Sequence, residues 1–168
     1  MRQLEVVDYD GEWPAIFAEH KERLRDALRD HDADIEHIGS TSVPGLAAKP
    51  IIDIVVAVDD ITAEEDYLEP LVAAGYVLRV REPGHRLVRT PARDVHVHIY
   101  GKGDRAIERY LLLRDHLRTD AVDRELYAQT KRALIAQGFD DMNRYSDAKT
   151  EVIAAIIARA SAAGLPKG

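Results

Sequence analysis

The stretch Glu36-His37-Ile38-Gly39-Ser40-Thr41-Ser42-Val43-Pro44-Gly45-Leu46, continued by Lys49-Pro50-Ile51-Ile52-Asp53-Ile54-Val55-Val56, decides the fold. It reads as a short strand around Ile35 to Ile38, a Gly-Ser turn, a loop, and a second strand from Ile51 to Val58. A Gly-Ser turn at a strand end directs backbone N–H groups outward, which suits an anionic phosphate. Thr41 and Ser42 add hydroxyls that can hold phosphate oxygens, and Lys49 adds a point charge. The spacing of glycine, lysine and hydroxyl is not that of a P-loop. The second strand is apolar on both faces, as a central strand is. Asp53 breaks that run with a charge, which is costly unless something pairs with it. It reads either as a structural acceptor for the neighbouring loop or as a metal-binding carboxylate facing Gly39-Ser40.

Upstream, a helix is expected from Asp10–Pro14 to about Asp30, with Asp10 as cap and Pro14 in its first turn. Trp13 is expected to pack in the core at the helix entrance. Downstream, Thr62 to Glu65 has capping-box spacing for a second helix that Gly75 ends. Three extended stretches follow, Tyr76–Arg81, His85–Thr90 and Asp94–Tyr100, separated by Pro83-Gly84 and Pro91. From Gly103 the pattern is helical, with breaks near Asp120 and at Gly138–Asp141. The last helix, Asp141 to Ala162, carries Val152, Ile153, Ile156 and Ile157 on one face. The order α, β-loop-β-α, three strands and three helices predicts an α+β protein, a mixed sheet flanked by helices with a helical C-terminal part.

In Asp94-Val95-His96-Val97-His98-Ile99-Tyr100 the apolar residues alternate with Asp94, His96 and His98. A solvent-facing strand explains this alternation, and so does a His-x-His metal site. If this strand lies beside the Asp53 strand, Asp53, His96 and His98 are expected to converge. His37, Arg86, Arg114, Tyr145 and Lys149 are accessory candidates near a phosphate site; Tyr145 and Lys149, four apart, share a helix face.

Composition limits the partners. The chain has 168 residues, a net charge of −7 and no cysteine. The charge argues against bulk nucleic-acid binding, and the missing cysteines exclude disulfides and thiolate metal sites. No apolar run approaches the length of a membrane span, and the N-terminus lacks a signal-peptide core, so a cytoplasmic protein is expected.

The segment His37–Leu46, with Lys49–Ile54, resembles the signature of the GrpB family, also called UPF0157. The resemblance extends to Asp8-Tyr9, Trp13, His96-Val97-His98, Arg114-Asp115-His116-Leu117-Arg118, Tyr145 and Lys149. Similar domains occur fused to dephospho-coenzyme A kinase; this chain has no P-loop and is expected to be the stand-alone form. The resemblance implies one nucleotidyltransferase-like domain over residues 1–168. In that superfamily a Gly-Ser turn binds a triphosphate, an Asp-x-Asp pair on the next strand holds two divalent ions, and a later strand adds a third acid. Gly39-Ser40 match the turn and Asp53 the first acid. Val55 stands at the second acid position, and the third-acid strand is the one bearing His96 and His98.

Three functions are therefore expected to compete. The first is metal-dependent nucleotidyl transfer using Mg²⁺ or Mn²⁺, with Asp94 or His37 as base. The second is a nucleotide- or coenzyme A-binding module without turnover. The third is a His/Asp transition-metal enzyme, with Zn²⁺ if the histidine pair ligates. In each the partner is a nucleotide or another phosphorylated small molecule.

Overall fold

Strand β2 (Ile52–Val58) lies inside a five-stranded sheet, and this explains its composition. Every residue of it but Asp53 is buried. A computed structural model describes residues 6–136 and 153–160 of the chain. Along it run α1 (Trp13–Ala27), β1 (Asp34–Ile38), a 3₁₀ turn (Ser40–Ser42), β2, α2 (Glu64–Ala73), β3 (Val77–Glu82), β4 (His85–Arg89), β5 (Val95–Gly101), α3 (Arg105–Thr119) and α4 (Ala121–Ala136). Residues 153–160 form a further helix, α5.

The sheet order is β1-β2-β5-β4-β3, with β2 and β5 parallel and the other pairs antiparallel. Register assigns the two faces. Asp53 lies between Ile38 of β1 and His96 of β5, and Val55 lies between Glu36 and His98. These residues share one face, because strand neighbours in register point the same way. The other face carries Ile52, Ile54, Val56, Val95, Val97 and Ile99, packed with Trp13, Leu24, Tyr67 and Leu71 of α1 and α2, and with Leu28 just beyond α1, into the main core. A second cluster, Val43, Leu46, Leu117, Tyr127, Ala128 and Ile156, joins the loop after β1 to α3, α4 and α5. The sheet thus has α1 and α2 on one side and the C-terminal helices on the side of Asp53.

Trp13 is buried, as expected. Asp10 accepts the Glu12 N–H and Pro14 sits in the first turn of α1. The capping box at Thr62 does not form. Asp60 takes both the N–H and the hydroxyl of Thr62, so α2 starts at Glu64 without a side-chain cap. Among the described residues no helix is long and apolar enough to cross a membrane.

Candidate functional site

Gly39 joins β1 to the loop at φ 76°, ψ −177°, a region essentially reserved for glycine. A Cβ there would lie 2.9 Å from Asp53 Oδ2 and 3.1 Å from Asp53 Cβ. The turn and the carboxylate are therefore in direct contact, and only a residue without a side chain lets them meet. Beyond Gly39 the loop fastens itself. Ser42 Oγ donates to the Gly39 carbonyl, and the Thr41 hydroxyl bonds the Ile51 carbonyl and His37 Nε2 (2.9 Å).

Two arginines of α3, one turn apart, bracket this loop from outside. Arg114 donates to the His37 carbonyl (3.1 Å) and Arg118 to the Ser42 carbonyl (2.9 Å). From α4, Lys131 Nζ donates to Ser40 Oγ (2.8 Å), which lies 3.4 Å from the Tyr127 hydroxyl. Lys131 is only 3% exposed, and its Nζ stands directly behind the turn. Between sheet and helices lies a cleft of about 410 Å³. Its floor is Gly39, Ser40, Asp53 and His98; α3 supplies Arg109, Tyr110 and Arg114, and Leu113, Leu117, Ile153 and Ile157 form an aliphatic wall.

On that floor His98 Nε2 lies 3.3 Å from Asp53 Oδ1. His98 Nδ1 lies 3.5 Å from His85 Nε2, and the two rings stack. His85 Nδ1 in turn meets Glu82 at 2.7 Å. Burial raises the Tyr110 phenol above its ordinary pKa, so it remains a neutral hydroxyl beside His98.

The structure gathers Gly39, Ser40, Asp53, His98 and Arg114 at one place and leaves the other candidates elsewhere. Thr41 and Ser42 spend their hydroxyls inside the loop. His96 pairs in register with Asp53 but does not line the cleft, so the expected three-residue convergence reduces to Asp53 and His98. Lys49 lies outside the cleft, beyond the bridge that joins Val7 to Ala48. Asp94 accepts the Thr90 hydroxyl in the turn before β5, and Arg86 pairs with Glu64 on α2; neither reaches the cleft. Tyr145, Lys149 and the break at Gly138–Asp141 lie outside the described residues. Val55 is apolar and buried, and its register neighbour Glu36 is engaged by Arg114 at 2.8 Å.

His37 is not a base of the cleft. Its ring stacks on Phe17 on the opposite side of the sheet, and burial, then the charge of Arg118, pushes its pKa down to about 4. A depressed histidine pKa means that the unfolded chain takes up a proton that the folded one refuses. Stability is therefore full above about pH 6.5 and falls as pH drops from there towards 4, by an amount on the order of 3 kcal/mol. Urea unfolding between pH 7 and 4.5 measures this loss. His37→Gln, which keeps a donor for Thr41, is expected to flatten that part of the profile.

Sequence reasoning missed Lys131, Tyr127 and His85. The first two had one signal: with Asp123 they recur every four residues along α4 and so share a face.

The mixed sheet, with a Gly-Ser turn packed against a carboxylate on the next strand and C-terminal helices above it, has a nucleotidyltransferase-like fold. Solved nucleotidyltransferases share this fold at low identity. One structure of the Cid1 poly(U) polymerase superposes with a TM-score of 0.55 at 19% identity, over 77% of this chain and 44% of that one. The chain belongs to the GrpB family, whose model, described as GrpB protein, matches residues 3–159. A UPF0157 protein of Streptomyces coelicolor is 65% identical over 161 residues, 96% of this chain and 86% of that protein. The crystal structure of the conserved protein GrpB from Enterococcus faecalis superposes with a TM-score of 0.83 at 34% identity, over 93% of this chain and 96% of that one. A dephospho-CoA kinase of Mycolicibacterium paratuberculosis is 30% identical over 169 residues, with 83% of this chain matching 42% of that protein.

Proposed function

We propose that the cleft binds the phosphates of a nucleoside triphosphate at Gly39-Ser40 and transfers its nucleotidyl group to a small acceptor, breaking the α–β phosphoanhydride bond with pyrophosphate as the leaving group. The observation that carries this reading is the contact of Gly39 with the Asp53 carboxylate beside a Ser40 hydroxyl held by Lys131. A phosphate at the turn would meet the Ser40 hydroxyl with the Lys131 charge behind it, while Arg109 faces the cleft from α3.

The residues present suit one divalent ion better than two. Asp53 and His98 offer a carboxylate oxygen and an imidazole nitrogen 3.3 Å apart, whereas Val55 offers nothing. Mg²⁺ or Mn²⁺ at Asp53, completed by phosphate oxygens, would neutralise developing charge on the transferred phosphoryl group; the imidazole would admit Zn²⁺ as well. The chain's own contributions are separable from the ion. Gly39 and Ser40 orient the phosphates, the aliphatic wall excludes water, and Arg114 and Arg118 keep the loop in place.

Val55 also favours a second reading, a nucleotide- or coenzyme A-binding module without turnover. The two are distinguished by incubating the protein with each α-labelled nucleoside triphosphate, Mg²⁺ or Mn²⁺ and a small-molecule extract. Transfer of label from one of them, stopped by chelation, is the expected result. No transfer from any of the four, with nucleotide binding retained, leaves the module.

A further inference from the structure

Asp123, Tyr127 and Lys131 occupy one face of α4 at successive four-residue steps. The last two stand on Ser40; the first is the centre of an ionic node. Asp123 is 5% exposed, and both its oxygens are engaged. Arg159 of α5 donates Nη2 to Oδ1 (2.6 Å) and Nε to Oδ2 (3.0 Å), and His116 Nε2 of α3 lies 2.7 Å from Oδ2. The Asp123 N–H is in turn accepted by Asp120 Oδ1. One buried carboxylate therefore ties together α3, α4 and α5. His116, Asp120 and Asp123 are also, among the described residues, the group whose donor atoms come within 4.8 Å of one another, as metal ligands do. The bidentate guanidinium of Arg159 already supplies the positive charge such a group needs.

We propose that Asp123 is a positioning residue for the cleft. Its node fixes the rotation of α4, which sets Lys131 and Tyr127 onto Ser40, and it pins α5, which presents Ile153 and Ile157 as wall. The proposal rests on Ser40, backed by Lys131, being the phosphate contact. No residue of the node belongs to the main core between the sheet and α1 and α2, so loosening it leaves that half of the molecule folded.

The reporter is the reactivity of Lys131, which is 3% exposed with α4 seated on the loop. Lysine acetylation by an N-hydroxysuccinimide ester, read by mass spectrometry with the half-exposed Lys21 as reference, is measured in wild type, Asp123→Asn and Arg159→Gln. Acetylation of Lys131 is expected to rise about tenfold in Asp123→Asn and by a smaller factor in Arg159→Gln, with Lys21 and the circular dichroism spectrum unchanged. Affinity for magnesium pyrophosphate should fall in parallel. Arg159→Gln removes a half-exposed side chain and carries the test should Asp123→Asn not fold. Lys131 remaining protected in the folded variants overturns the proposal. Deprotection of Lys131 in a protein whose wild type binds no pyrophosphate upholds the positioning role and counts against the phosphate reading instead.

Discussion

Replacing Gly39 by alanine is expected to destabilise the protein by about 2–4 kcal/mol and to abolish phosphate binding in the molecules that remain folded. Two costs coincide at this position. A side chain at φ 76°, ψ −177° is strained in any surroundings, at about 1–3 kcal/mol. The new methyl would also lie 2.9 Å from Asp53 Oδ2, closer than a carbon and a carboxylate oxygen tolerate. The clash cannot be relieved cheaply, because the carboxylate is held on a central strand and its other oxygen faces His98. The loop has little slack either, since Arg114 holds the His37 carbonyl at the end of β1 and Arg118 holds the Ser42 carbonyl. Chemical denaturation of the variant measures the first effect and calorimetry with a magnesium nucleotide the second. A variant as stable as wild type would mean that the turn does not take this conformation in solution.

The second large effect is at Asp53. Asp53→Asn keeps the shape and one acceptor for His98 but removes the charge. The side chain is partly exposed at 31%, so a stability change within about 1 kcal/mol is expected. Metal-dependent binding or transfer should fall about a hundredfold, corresponding to a loss of about 3 kcal/mol of cation-mediated stabilisation. A variant that loses stability while keeping its metal dependence would assign Asp53 to the structural role that its place in an apolar strand equally permits. Measuring the melting temperature and the affinity on the same preparation separates the two.

What could be read from the chain follows from how local each interaction is. Gly39 and Asp53 were legible because the turn and the strand after it form one short sequence block, and β2 could only be central with apolar residues on both faces. His96 and His98 were equally visible as a pair. Alternation places them on one face, but it does not say which of the two reaches the carboxylate; that depends on the stagger of parallel strands, which puts His98 opposite Val55 and its ring 3.3 Å from Asp53. His37 resembled a site residue because it adjoins the loop. Strand alternation instead turns it away from the cleft, onto Phe17.

Lys131 was hidden for a different reason. It lies 91 residues from Ser40, in a helix that also carries charged residues exposed to solvent, Glu125 and Arg132. Only the packing of α4 on the loop distinguishes it from them. Thr41 and Ser42 show the converse. Hydroxyls in a Gly-Ser loop suggest ligand contacts, yet a tight loop has its own carbonyls to satisfy, and Ser42 and Thr41 are used for that.

The central claim is that Gly39-Ser40, backed by Lys131, is a phosphate site. Calorimetric titration of wild type and Lys131→Met with the four magnesium nucleoside triphosphates tests it most directly. At least one triphosphate should bind the wild type, and the same one should bind Lys131→Met about tenfold or more weakly, the loss expected for one charge-assisted contact. Failure of all four to bind, or equal affinity for both proteins, would contradict the assignment of this cleft.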